Sequence, residues 1–319
     1  MDGEPRLVDR LRVDPERERA ELVAGLRAAQ ARVSPKYFYD AVGCALFAAI
    51  CELPEYYPTR TERSIFAAHR DAIARAVGRS TTLVDLGAGD GRKAAAWFDA
   101  LATRRYLAVD IARDALAATL STLRDEHPAI DATAIVADFT QGLDLDADLG
   151  AEPVTFFYPG SSIGNFEPAA ALRFIAGLAR HCATRAGSGL LIGVDTRKDA
   201  ARLVAAYDDA VGVTAAFNRN VLAHVNRIAP ADFAPASFAH RASWDAAAGR
   251  VSMHLEAMAS QVVRIDGRAR AFAAGERIHT EDSFKDAPDD FAKLLERAGF
   301  ASIERWQDDA GDFAVFFAR

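Results

Sequence analysis

From Thr81 onward the apolar residues arrive in short runs separated by stretches of helical period. TTLVDL predicts a strand, GAGDGRK a turn, and a helix follows through Ala102. RYLAVDI is a second strand; its helix, ARDALAATLSTLRDEH, spaces Leu116, Leu120 and Leu123 along one face. ATAIVADF reads as a third strand, PVTFFYPG as a fourth with a helix over 168–182, and SGLLIGVDT as a fifth. Strands alternating with helices make βαβ units and a parallel sheet, and right-handed crossovers make it doubly wound.

Outside this stretch the rhythm changes. Residues 17–30 predict a helix with Leu22, Val23, Leu26 and Ala29 on one face. The aromatic-rich stretch 34–62 carries three prolines and predicts short helices and ordered turns. A helix over 61–77 ends at Gly78. Between 201 and 285, RLVAAYDDAVGVTAAFNRNVLAHVNRI reads as helical, and RVSMHLEAMASQVVRI and RARAFAAGERIHTEDS as strands. This is the signature of an α+β lobe. The tail returns to the first pattern, with a helix in FAKLLERAGF and a hairpin of SIERWQDD and FAVFFAR. The sheet domain is therefore expected over 60–198 and 286–319, and the lobe over 15–59 and 199–285.

Composition narrows the class. Half of the 319 residues are hydrophobic, enough for a sizeable core. The net charge of −7 argues against nucleic-acid or anionic-membrane binding, and Lys and Arg form no stripe. The three cysteines and seven histidines show no zinc or disulfide spacing, so no metal is expected. The start, MDGEPRLVDRLRVDPERERAELV, is charged and no run of 18 apolar residues occurs, so a cytoplasmic protein is expected.

LVDLGAGDGRK carries the first candidate site. Glycines 87, 89 and 91 let the backbone turn sharply and approach a ligand. Asp110 closes the next strand, about twenty residues on, where a carboxylate takes ribose hydroxyls. Asp138-Phe139 ends the third strand and suits an adenine, with a hydrogen bond at its edge and packing on its face. A nicotinamide dinucleotide loop wants its third glycine one residue later, where Arg92 stands. The spacing favours S-adenosylmethionine over NAD, and disfavours an oxidoreductase.

A second glycine-rich loop, YPGSSIGNF, follows the fourth strand. Gly160 and Gly164 allow tight turns, and Asn165 either offers its carboxamide to an amino acid or caps the next helix. SPKYFYDAVG, LPEYYPTRTE, PGSSIGN, YDDAVGVTAAFNRNVL and the tail WxDxxGDF together resemble the histidine-specific methyltransferases, from about residue 34 to the C-terminus. The resemblance implies an α/β fold, a class I methyltransferase doubly wound sheet with an α+β substrate-binding lobe. It implies three methyl transfers from S-adenosylmethionine to the α-amino group of L-histidine, giving the trimethylated betaine, the first step towards ergothioneine. The acceptor would be a small molecule, the working unit a monomer.

The same resemblance assigns residues. Gly87, Lys93, Asp110, Asp138, Phe139 and Gly160 fall in the cofactor set. Asn165 and Tyr207 imply a clamp on the histidine carboxylate, and Tyr56 is the first tyrosine of LPEYYP. Glu281 and Ser283 match the imidazole-reading pair, with Asp282, an acid, between them. A carboxylate can accept from one ring N–H and a hydroxyl can donate to the other nitrogen; strand alternation puts both on one face. Tyr56 is the candidate proton relay. Tyr39 and Phe47 are implied pocket walls for the growing methylammonium, although at least two of Tyr37, Phe38, Tyr39 and Phe47 should be core. Met253 either packs on the imidazole or fills the lobe core. The nearest rival is methylation of another amino acid such as tryptophan. A non-catalytic binding module would not need both half-sites.

Overall fold

The computed structural model describes residues 6–11 and 14–319. Residues 1–5, 12 and 13 of the charged start, on which the expectation of a cytoplasmic protein partly rests, lie outside the described residues. The strands are β1 (Arg6–Asp9), β2 (Thr82–Leu86), β3 (Arg105–Asp110), β4 (Asp131–Val136), β5 (Val154–Tyr158), β6 (Gly189–Asp195), β7 (Phe238–Asp245), β8 (Arg250–Ala257), β9 (Gln261–Ile265), β10 (Arg268–Phe272), β11 (Arg277–Phe284), β12 (Ile303–Gln307) and β13 (Phe313–Ala318). The described residues divide into two compact units. One holds those within Met1–Leu11, Pro58–Arg197 and Asp286–Arg319, the other those within Arg12–Tyr57 and Lys198–Lys285.

The first unit is built on an eight-stranded sheet in the order β1-β4-β3-β2-β5-β6-β13-β12. β1 to β6 run parallel; β13 and β12 add an antiparallel edge. TLVDL in β2 and VTFFY in β5 are buried along their whole length, as strands covered on both faces must be. Val84 and Leu86 pack with Ile175 and Leu178 of helix Pro168–Ala183 and Phe291 and Leu295 of helix Pro288–Ala298. Leu83 packs the other way, with Ile73 and Val77 of helix Arg70–Val77 and Leu116 and Leu120 of helix Arg113–Glu126. The result is a doubly wound three-layer sandwich. Helix Pro288–Ala298 shows why local sequence suffices for its bounds: proline opens it, Asp289 and Asp290 face its positive end, and Gly299 ends it at φ 112°. The strand order reverses between β2 and β5, so their carboxyl ends border the crevice where such sheets hold ligands.

The second unit carries a three-stranded antiparallel sheet, β11-β8-β7, and a separate β10-β9 hairpin. Its core gathers Leu22 and Leu26 of helix Pro15–Arg27, Phe217, Val221 and Val225 of helix Val213–Ile228, and Val251, Leu255 and Ile278 from the sheet.

Several elements differ from expectation. β1 pairs with β4 although RLVD is too short to register as a strand. β7 was hidden because FAHRASWD alternates apolar with charged and small residues. The helix expected over 61–77 breaks at His69 into Tyr57–Ala68 and Arg70–Val77. The one expected through Ala102 breaks into Arg92–Ala95 and Phe98–Leu101. The helical stretch 202–228 splits around a turn at 206–212, where Asp209 takes the amides of Val213 and Thr214 and restarts the helix. Among the described residues, no helix is long and apolar enough to cross a membrane.

Candidate active site

In the first unit, the three glycines after β2 do different work. Gly87 and Gly89 have φ of 73° and 54°, and a Cβ on either would meet nothing within 4 Å, so this backbone has room beside it for a ligand. Gly91 is packed instead: a Cβ there would lie 2.7 Å from Thr119 Cγ2. Asp110 accepts from Gly89 N–H at 3.0 Å and from Ala112 N–H at 2.9 Å, one on each oxygen. Each carboxylate oxygen keeps a further lone pair, which a ribose diol can use. Asp138 is half-buried and accepts the Thr140 amide at 3.0 Å; Phe139 lies edge-on to Tyr158 and beside Phe174.

The loop after β5 is tied to the first loop by Glu62, the last residue of LPEYYPTRTE, to which no local pattern assigns a role. Glu62 is 1% exposed. One of its oxygens lies 2.7 Å from Lys93 Nζ, and the other accepts Gly160 N–H at 2.6 Å. Gly193 makes room for it, since a Cβ there would fall 2.1 Å from Glu62 Oε1. A glycine between Ile192 and Val194, inside β6, was the available signal for this close approach. Gly160 (φ 77°) and Ser161 (φ 58°) are both left-handed, and the Ser161 hydroxyl accepts Asp195 N–H at 2.8 Å. Asn165 ends a 3₁₀ turn, Ser162–Asn165, and is exposed. The N-cap of the following helix is Glu167, so Asn165 does not cap it.

In the second unit, Glu281 and Ser283 are buried on one face of β11. Met253 of β8 stands opposite Glu281 in the ladder, hence on the same face, and also belongs to the core. A bulge between His279 and Glu281 sets this phase. Asp282 points the other way, 2.7 Å from Arg250 Nη1, hydrogen-bonded to Ser252 and 3.0 Å from His279 Nε2. Its charge is therefore balanced away from the Glu281 face.

Tyr207 Oη donates to Ser283 Oγ at 2.8 Å, and Lys285 Nζ donates to both oxygens. Lys285 was not anticipated. Its signal was its phase, two residues beyond Ser283 and four beyond Glu281. Tyr207, Tyr56, Phe47 and Tyr39 form a chain of edge contacts with ring centroids 6.4, 6.3 and 5.9 Å apart. Phe217 touches Phe38, Tyr39 and Phe47. Tyr37 and Phe38 are core residues, whereas Tyr39 and Phe47 are half-buried. Burial raises the Tyr56 pKa well above the ordinary tyrosine value, and Tyr207, Cys51, Tyr39 and Glu281 push the same way. Tyr56 is thus a neutral phenol.

The fold and the first loop define an S-adenosylmethionine-dependent methyltransferase of class I. The open glycine turn, the acid at the end of β3 and the Asp-Phe pair after β4 fit that cofactor. The chain belongs to the histidine-specific, S-adenosylmethionine-dependent methyltransferase family, whose model matches residues 18–319. It is 42% identical to the histidine N-alpha-methyltransferase of Mycolicibacterium smegmatis over 94% of each chain. It is 40% identical to the protein of that name from Mycobacterium tuberculosis, again over 94% of each. The ergothioneine biosynthesis protein 1 of Schizosaccharomyces pombe is 26% identical over 87% of this chain and 37% of that protein.

One buried acid in this site sets a stability test. Burial pushes Asp85 up to about 7, and Asp110 and Asp90 add to this against the Tyr106 hydroxyl, 2.8 Å away, and Lys93. An unfolded aspartate titrates near 3.9. The folded state therefore holds more protons between about pH 4 and 7, and loses stability as pH rises across that window. Asp85→Asn should unfold at nearly the wild-type temperature at pH 4 but be more stable at pH 8, by roughly 2–4 kcal/mol. Thermal unfolding of the cofactor-free protein checks this; a difference independent of pH would mean that Asp85 ionises normally.

Proposed function

We propose that this chain transfers methyl groups from S-adenosylmethionine to the α-amino nitrogen of L-histidine, three times, to give the trimethylated betaine that opens ergothioneine biosynthesis. The observation that carries the choice of acceptor is the buried Glu281–Ser283 pair beside Met253. A neutral imidazole has one N–H and one bare nitrogen, and these two side chains supply the matching acceptor and donor. The names of the relatives point the same way, to histidine and to ergothioneine. A cytoplasmic location and a monomeric state belong to the same proposal.

S-adenosylmethionine, when bound, supplies a methyl group on a positively charged sulfur. Gly87 and Gly89 would bring backbone close to it, Asp110 would take its ribose hydroxyls, and Asp138 and Phe139 would hold the adenine. Lys93 and Gly160 belong to the same set, held by Glu62. Asn165 would bind the acceptor's carboxylate; Tyr207, which the sequence paired with it, gives its one hydroxyl proton to Ser283 and would instead offer its remaining lone pair to an N–H of the acceptor's amine. The attacking amine must be unprotonated; an α-amino group titrates near 8 in a peptide, so no strong base is required. Tyr56, held as a phenol, would orient the amine and pass its proton on rather than remove it as a phenolate. As methyl groups accumulate, the nitrogen becomes a cation with no N–H. Tyr39 and Phe47 then offer ring faces, each worth about 0.5–2 kcal/mol. Most of the rate would come from alignment.

Incubation with S-adenosylmethionine and a panel of amino acids, read by mass spectrometry, should add one, two and three methyl groups to L-histidine. Mass gain on tryptophan and none on histidine would overturn the assignment. Glu281→Ala should raise the histidine KM about 100-fold or more, because it leaves a buried ring N–H without its acceptor, while the cofactor Kd stays near the wild-type value. Asp110→Ala should do the reverse, and an unchanged calorimetric Kd for S-adenosylmethionine would remove its ribose role.

A further inference from the structure

Lys285 is among the most deeply buried side chains of the chain, at 1% exposure. A buried lysine is costly, and an aliphatic residue could fill the same volume at less cost. Its Nζ lies 2.7 Å from Ser283 Oγ and 2.8 Å from Tyr207 Oη, and those oxygens are 2.8 Å apart. The ammonium is also 4.9 Å from the Tyr207 ring centroid. Three polar groups thus form a closed triangle beside Glu281.

The donor inventory gives the triangle a direction. An ammonium has donors only, whereas a hydroxyl has one proton and two lone pairs. Lys285 fills one lone pair on Ser283, and the Tyr207 hydroxyl fills the other. The Ser283 oxygen then has no acceptor capacity left, and its own proton must go to a further partner. Glu281, when ionised, can only accept. The face therefore presents one obligate donor and one obligate acceptor, where serine alone would be ambiguous.

We propose that Lys285 is a specificity-determining positioning residue. By occupying Ser283 as an acceptor, it makes that hydroxyl donate, so that Glu281 and Ser283 select a neutral imidazole in a single tautomer. This rests on the reading of L-histidine as acceptor. An imidazolium would present an N–H to Ser283, which has no lone pair for it, and an indole, with its single N–H on Glu281, would leave the Ser283 proton without an acceptor. Without Lys285 the serine could turn and accept.

Steady-state methylation by the full chain tests this in a double-mutant cycle of Lys285→Met and Ser283→Ala, with KM measured for both substrates. Wild-type protein that leaves histidine unmethylated overturns the acceptor assignment itself, before any variant is compared. Given an active wild type, Lys285→Met should lower kcat/KM for histidine about 10- to 100-fold. It should move the S-adenosylmethionine KM by no more than about twofold, and add no more than about twofold to the loss in Ser283→Ala. Lys285→Gln, which keeps two N–H donors, should recover most of the loss. Equal losses in both backgrounds, or equal rises in both KM values, would make Lys285 a packing residue and overturn the proposal. If Lys285→Met does not fold, the cycle is run on Lys285→Gln, whose loss, about 3- to 10-fold, must likewise vanish beside Ser283→Ala.

Discussion

The cofactor half of this enzyme depends on one buried carboxylate. Glu62 joins Lys93, on the turn after β2, to the Gly160 amide, on the turn after β5. These two strands pair as far as Asp85↔Phe157, but the sheet order reverses between them, and beyond that point the ladder does not tie their outgoing loops together. Glu62 does. Its carboxylate is out of water, whereas Lys93 remains 43% exposed. The attraction is therefore partly screened on one side, and loss of Lys93 would leave the buried Glu62 carboxylate short of a bond, at a cost below the roughly 3–5 kcal/mol of a fully buried pair. Gly193 is a condition of the arrangement, because any side chain there would occupy the position of Glu62 Oε1.

On the acceptor side the governing constraint is strand alternation. β11 places Glu281 and Ser283 inward and Asp282 outward, so one strand separates the carboxylate proposed to read the substrate from a structural one. The outward acid needs partners of its own, and Arg250, Ser252 and His279 provide them. Two like charges on adjacent residues thus do not compete for the same ligand. A one-residue slip would exchange their roles, and the bulge before Glu281 fixes the register against it.

The sheet was legible because its strands are apolar runs between helices of clear period, and the glycine turn and its acids because they sit at strand ends. The lobe was harder. FAHRASWD has one polar face and no apolar run, and the helix–turn–helix around Tyr207 reads as continuous helix until Asp209 is seen to cap its second half. Glu62 and Lys285 escaped for a common reason: each acts through groups more than seventy residues away, Gly160 for one and Tyr207 for the other. Local pattern carries no trace of such pairings beyond a glycine or a charge in an unexpected phase.

The YDDAVGVTAAFNRNVL stretch, too, positions more of the lobe than Tyr207 alone. Asn218 donates to His240 Nδ1 at 2.8 Å, which leaves the other ring nitrogen, Nε2, to donate to the Tyr207 carbonyl at 2.8 Å. Burial lowers the His240 pKa, as this neutral tautomer requires. Asn220 and Arg227 bind Asp40, which also takes the Gly43 amide at the start of helix Ala41–Cys51, the helix that carries Phe47. Phe217 backs Tyr39 and Phe47 directly. Phe217, Asn218 and Asn220 of the motif thus fix side chains or backbone at Tyr207, Tyr39 and the helix of Phe47. A motif of this kind is specific because several geometric conditions must hold together, and a change at any one of them displaces Tyr207, Tyr39 or Phe47.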